Sequence, residues 1–145
     1  MIKLFFSLLF ALSLCSKEHT YDTYFEQAGA YYNIPPLLLK HIATIESGHN
    51  PQAINRNANG TYDYGLMQIN SIHLKRLAQW GITQNNILDP KVNIYAASWL
   101  LNEHIKNHGF TLQAIGNYHS ATPHYKELWL KRLITALKTD PSAGR

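Results

Sequence analysis

Three proline-marked helix starts, each followed by apolar residues at helical spacing, limit this chain's fold more than any other feature. Pro35-Pro36, Asp89-Pro90 and Thr122-Pro123 place proline where a helix leaves its first amides unpaired anyway. After Pro36, the residues Leu38, Leu39, Ile42 and Ile45 share one face, and Gly48 with Pro51 ends the run. After Pro90, Ala96, Ala97, Leu100, Leu101 and Ile105 lead to His108, with Gly109 as the stop. Tyr125, Leu128, Trp129, Leu133 and Leu137 follow Pro123 in the same manner. Tyr24, Phe25, Ala28, Tyr31 and Tyr32 form an earlier amphipathic segment. Ser71 is expected to cap a helix carrying Ile72, Leu74, Leu77 and Trp80, and Thr111 one carrying Leu112, Ile115 and Tyr118. The pattern predicts an all-α single domain with its core between about residues 22 and 137.

Residues 49–64 break the helical pattern. Asn55-Arg56-Asn57-Ala58-Asn59-Gly60 carries almost no apolar side chain, and Asn59-Gly60 signals a tight turn. A small hairpin or ordered loop is expected here, and long polar loops inside helical domains are more often functional than idle.

With 145 residues the chain is long enough for one domain with a real core. Cys15 is the only cysteine, so no intramolecular disulfide can form and packing must hold the fold. Lys3 is the only charge among residues 1–16, and the apolar run after it reads as a secretory signal peptide. The run is short of the ~20 apolar residues of a membrane-spanning helix. An uncleaved membrane anchor is the other reading, and either one exports the body, residues 17–145. Leu12-Ser13-Leu14-Cys15 is similar to the lipidation site of bacterial lipoproteins, with Leu14 where glycine or alanine is usual. Cys15 is thus a candidate for lipidation, or else leaves with the signal peptide. The expected location is periplasmic, with anchoring through the N-terminus if Cys15 is lipidated. A net charge of +4 suits an anionic polymer or surface. Nucleic acid is not an expected partner, because no dense Lys/Arg cluster interleaves with aromatic residues.

Glu46 follows Leu38 and Ile42 at four-residue intervals, so a helix aligns it with an apolar stripe. A carboxylate there loses hydration, which favours its neutral form and suits acid catalysis on a neutral polar polymer such as a sugar chain. The other reading turns Glu46 outward at the helix end. A two-carboxylate mechanism needs a partner, and Asp63, beside Gly65-Leu66-Met67-Gln68, is the best placed. Asp63 could equally hold that loop by accepting hydrogen bonds, which gives weight to a single-carboxylate mechanism. Asn55, Gln68 and Asn70 are amides suited to sugar hydroxyl or N-acetyl groups, and Tyr118 and His119 end a helix within reach of the same region. His104 and His108 have a metal-compatible spacing, but no third ligand and no His-Glu-x-x-His sequence accompany them, so no metal and no cofactor are expected. No Gly-x-Ser-x-Gly and no Gly-rich phosphate loop occurs.

Several of these motifs, in this order, resemble a known family. Glu46-Ser47-Gly48-x-Asn50-Pro51, Ala53-x-Asn55 and Gly60-x-x-Asp63-x-Gly65-Leu66-Met67-Gln68-Ile69-Asn70 are similar to the soluble lytic transglycosylase domain of the lysozyme superfamily. Asp89-Pro90, Ala96-Ala97-x-x-Leu100 and Ala114-Ile115-x-x-Tyr118 match its later landmarks. The small size resembles members attached to type III and type IV secretion systems, pili and conjugation machinery. The resemblance implies a lysozyme-like α fold with a sugar-binding cleft and peptidoglycan glycan strands as partner. It implies that Glu46 protonates the bond between N-acetylmuramic acid and N-acetylglucosamine, then takes the C6 hydroxyl proton as a 1,6-anhydro ring closes. It places Asn55, Gln68 and Tyr118 around the reacting sugar, with Ser47 and Met67 shaping the cleft floor. One departure is clear: Asn117-Tyr118-His119-Ser120-Ala121 stands where the family has Ala-Tyr-Asn-Ala-Gly, so His119 replaces asparagine and Ala121 glycine. The expected function is an exported lytic transglycosylase that opens the wall for an envelope-spanning machine. Two alternatives stay open: a hydrolytic lysozyme of the same fold, and a non-catalytic glycan-binding assembly factor.

Overall fold

All three proline-marked helices form where the sequence places them. A computed structural model describes residues 21–142; the expected signal peptide, residues 1–16, and the candidate lipidation site Cys15 lie outside the described residues. Helix α1 (Asp22–Tyr32) ends at Asn33, which takes the left-handed conformation (φ 56°). Helix α2 (Pro36–Ser47) starts with proline in its first turn and ends at Gly48 (φ 62°), whose N–H returns to the carbonyls of Ala43 and Thr44. Helix α4 (Pro90–His108) is capped by Asp89, whose side chain accepts from Val92 N–H. Thr111 caps α5 (Leu112–His119) through Ala114 N–H, and α6 (Pro123–Thr139) begins at its proline.

The polar segment forms more than a hairpin. Strands β1 (Ile54–Arg56), β2 (Tyr62–Tyr64) and β3 (Ile69–Asn70) make an antiparallel sheet in the order β1-β2-β3. Ile54 pairs with Tyr64, Asn55 with Asp63 and Arg56 with Tyr62; Asp63 pairs with Asn70 and Tyr64 with Ile69. The architecture is therefore mostly helical with a small open sheet, rather than all-α with one hairpin.

The helix expected from Ser71 to Trp80 is corrected. It breaks into a 3-10 turn (Ser71–His73), one α turn, α3 (Leu74–Leu77), and a second 3-10 turn (Ala78–Trp80). Its cap is Asn70, which accepts from Ile72 N–H, while the Ser71 hydroxyl accepts from Tyr62 N–H in the sheet. Of its apolar residues only Leu77 is fully buried; Ile72 and Trp80 stand exposed. Too little of the segment faces the core for packing to sustain a regular helix.

The core gathers Phe25, Ala28, Leu38, Leu39 and Ile42 from α1 and α2 with Ile94, Ala97 and Leu101 from α4. Leu66, Met67 and Ile69 enter it from the sheet side, and Trp129 and Leu133 from α6. Among the described residues two polar side chains are fully buried, Asn93 and Ser98, and the Ser98 hydroxyl donates to Ile94 O at 2.8 Å. Asn93 of α4 is fully buried; its Oδ1 accepts Met67 N–H at 2.8 Å, and its Nδ2 donates to Tyr64 O and Ile87 O, both at 2.9 Å. This amide closes three backbone groups of two loops that cannot pair with each other. Gly65 must be glycine beside it: its φ is +74°, and a Cβ there would lie 2.5 Å from Asn93 Nδ2. Among the described residues no helix is long and apolar enough to cross a membrane.

Asn93→Leu strands one donor and two acceptors in the core, each costing about 1–3 kcal/mol. We expect a loss of at least ~3 kcal/mol in urea unfolding, and a comparable loss for Gly65→Ala. An Asn93→Leu protein as stable as wild type would show that the amide does not hold the sheet to α4.

Candidate functional site

The Gly65–Gln68 turn, fixed by Asn93, presents its last residue to an open groove of about 760 Å³. Gln68 takes a left-handed backbone (φ 50°), uncommon for a residue with a side chain. Its side chain satisfies the turn: Nε2 donates to Gly65 O at 2.9 Å, and Oε1 accepts from Asn55 Nδ2 at 2.6 Å. Local strain is thus held by hydrogen bonds at the groove wall.

Glu46 reaches the groove from the last turn of α2, with its side chain 11% exposed. Its Oε1 accepts from the Trp129 indole N–H at 2.7 Å and faces His119 Nδ1 at 3.3 Å. The His119 ring lies parallel to the Trp129 ring, 5.3 Å between centroids. Residues from α2, α5 and α6, far apart in sequence, therefore meet in one cluster.

Asp63 lies on the sheet side, and amides hold both its oxygens. Asn70 Nδ2 donates to Oδ1 at 2.8 Å and Asn57 Nδ2 to Oδ2 at 3.0 Å. Thr61 Oγ1 accepts from both amides as well. The network locks β2, β3 and the Asn57–Thr61 turn into one polar wall. Tyr118 donates its hydroxyl to Met67 O at 2.6 Å, tying α5 to the same turn. Burial, then the Glu46 and Asp63 charges, push its phenol well above its ordinary value. At the opposite end of the groove, burial first and then basic neighbours, Arg76 among them, hold His73 and His104 below the usual histidine value.

Glu46, Asp63, Gln68, Asn70, Tyr118 and His119 all line the groove. Asn55 supports it through Gln68. Ser47 and Met67 sit behind the wall: the Ser47 hydroxyl donates to Leu66 O at 2.7 Å, and Met67 is fully buried. Sequence reasoning missed Trp129 as a partner of Glu46, because its place on an apolar helix face signals only core. It also missed Asn93, although an amide set one turn before Ala96 and Ala97 on α4 was a readable signal of a buried polar group. Asn57, Thr61, His73 and His104 were missed as lining residues. Among the described residues no three histidine, cysteine or acidic side chains converge as a metal site.

The chain belongs to the Transglycosylase SLT domain family, whose model matches residues 23–132. Among its relatives, Protein IpgF of Shigella flexneri is 43% identical over 103 residues, covering 70% of this chain and 68% of that protein. Invasion protein IagB of Salmonella typhi is 41% identical over 97 residues, 66% of this chain and 61% of that protein, less than two thirds of its length. A peptidoglycan-binding-like protein of Escherichia coli O157:H7 is 33% identical over 128 residues, covering 81% of this chain and 77% of that one.

These findings correct the expectation of an active lytic transglycosylase. Two of these relatives are named for invasion and for peptidoglycan binding. Glu46, expected in line with an apolar stripe, accepts from the Trp129 indole and is faced by His119. Asp63, the best-placed second carboxylate, accepts an amide hydrogen bond on each oxygen. The lysozyme alternative is set aside on the same grounds.

The Tyr118 phenol stays protonated in the folded chain at pH values where unfolded tyrosine, with a value of about 10, has ionised. The unfolded state then binds fewer protons, so stability falls as pH rises above ~10 and is unaffected by this group below it. Tyr118→Phe should cost ~1 kcal/mol at neutral pH by losing the bond to Met67 O, and should reduce the alkaline fall. Tyr32, also raised by burial, keeps part of that fall in place. Urea midpoints at neutral pH and near pH 10.5 test this; an alkaline fall equal to wild type would contradict it.

Proposed function

We propose that this chain is a non-catalytic glycan-binding factor that attaches to peptidoglycan strands during assembly of an envelope-spanning secretion or transfer apparatus. The observation that carries the reading is the chemistry of the groove wall. Gln68, Asn70, Asn57, Thr61 and Asn117 present amide and hydroxyl groups, and Tyr125 adds an aromatic ring. Fixed amides suit the hydroxyl and N-acetyl groups of a sugar chain, and an aromatic face suits the apolar side of a pyranose ring. Glu46 contributes an acceptor, oriented by Trp129, at one end. The peptidoglycan-binding-like relative supports the ligand class, and the invasion protein supports the setting. Asn55, Ser47 and Met67 act through the wall they hold rather than by touching the sugar. The apparatus is of type III, type IV, pilus or conjugation kind, and the protein works in the periplasm after export. Anchoring through Cys15 would raise its local concentration at the membrane.

Cosedimentation with purified peptidoglycan sacculi, with mass spectrometry of the supernatant, tests the reading. We expect saturable binding, no soluble muropeptides, and binding about tenfold weaker for Gln68→Ala, equivalent to ~1.4 kcal/mol. Glu46→Gln should leave function in the cell intact. Release of 1,6-anhydro-muropeptides by the wild type, lost in Glu46→Gln, would overturn the proposal and restore the enzyme.

A further inference from the structure

A second groove, of about 640 Å³, lies on another face of the molecule. Helix α4 divides the two. Leu100 and His104 line the first groove, whereas Tyr95, Trp99, Asn102 and Lys106, spaced at i, i+4, i+7 and i+11, line the second. Tyr31 and Tyr32 from the end of α1, and Trp80 from the second 3-10 turn, complete it.

The lining is mainly aromatic. Trp80 and Trp99 meet edge to face at 4.6 Å, and Tyr31 and Tyr32 at 4.8 Å. The Arg76 guanidinium lies 4.8 Å over the Trp99 ring, which fixes that ring from behind. Tyr31 is 76% exposed and Trp80 53%, a cost that a chain avoids unless the surface is used. Among the described residues that line it, Lys106 alone is charged, and its ammonium donates to Glu103 Oε1 at 3.3 Å.

We infer that this groove is a second glycan-binding site, which takes a strand of N-acetylated hexosamines. Pyranose rings present C–H faces that lie on aromatic rings, with hydroxyls at their edges. The lining tyrosines and tryptophans carry phenol hydroxyls and indole N–H groups, and the Asn102 amide suits an N-acetyl group. A peptide side chain would instead call for an aliphatic pocket, and only Leu77, Ile82 and Ala96 supply aliphatic lining. The inference extends the proposed function to a second face, so that one molecule would hold two strands.

The three tryptophans make the two sites separately visible. In a proton–nitrogen correlation spectrum, the Trp129 indole N–H reports the first groove, while Trp80 and Trp99 report the second. Titration of the full chain with chitotetraose should shift all three. The Trp80 and Trp99 shifts should persist in Gln68→Ala, and in Tyr31→Ala the Trp99 response should need at least tenfold more ligand. Tyr31 is exposed enough for that variant to fold. If only Trp129 shifts, this inference fails and the first groove stands; if only Trp80 and Trp99 shift, the reverse holds. If a proline-rich peptide moves Trp80 and Trp99 where chitotetraose does not, the groove is a protein-docking face and the inference is overturned.

Discussion

The fully buried amide of Asn93 is the interaction on which the rest of this structure depends. A three-stranded sheet this small cannot be stable alone. Its attachment to α4 runs through Tyr64 O and Met67 N–H, both met by the Asn93 side chain. Asn93 supplies both partners and a third bond to Ile87 O, so one side chain fixes the loop before α4, the end of β2 and the turn after it. Gly65 makes room for it. Because the turn is fixed, Gln68 can be held in an uncommon backbone conformation facing the groove.

From that turn, two further ties build the groove. Tyr118 brings α5 in through Met67 O, and Ser47 brings the end of α2 in through Leu66 O. The turn is thus gripped from three helices within four consecutive residues. Glu46, one residue before Ser47, inherits its position from that grip, and Trp129 completes it from α6. The polar wall is rigid for a different reason: Asp63 is enclosed by amides, and a carboxylate so engaged organises a sheet rather than performing chemistry. A pre-formed polar wall suits recognition, since little ordering is left for the ligand to bring about.

The two grooves differ in chemistry as they differ in position. The first is walled by amides and hydroxyls from the sheet and the end of α5; the second is walled by rings from α1, α4 and the broken segment between α3 and Trp80. The breaking of that segment matters. A regular helix over residues 71–80 would align Leu77 and Trp80 on one buried face, whereas the 3-10 turn leaves Trp80 exposed beside Trp99. A local failure of helix regularity thus creates the second surface.

By itself the sequence determined the helices, because proline starts, glycine stops and apolar spacing are local signals written within a few residues of where they act. It also determined the polar segment and the family, through Glu46, the Gly65–Gln68 turn and the motifs that follow. Tertiary structure alone decided the third strand, since Ile69–Asn70 has no strand signature until β2 is beside it. It decided the break after Ser71, where burial rather than propensity governs. And it decided what Glu46 touches. Trp129 is 83 residues away and reads in sequence as one more apolar position on α6. Pairing across such a separation depends on how helices pack, and that is set by the whole core rather than by any short run of residues.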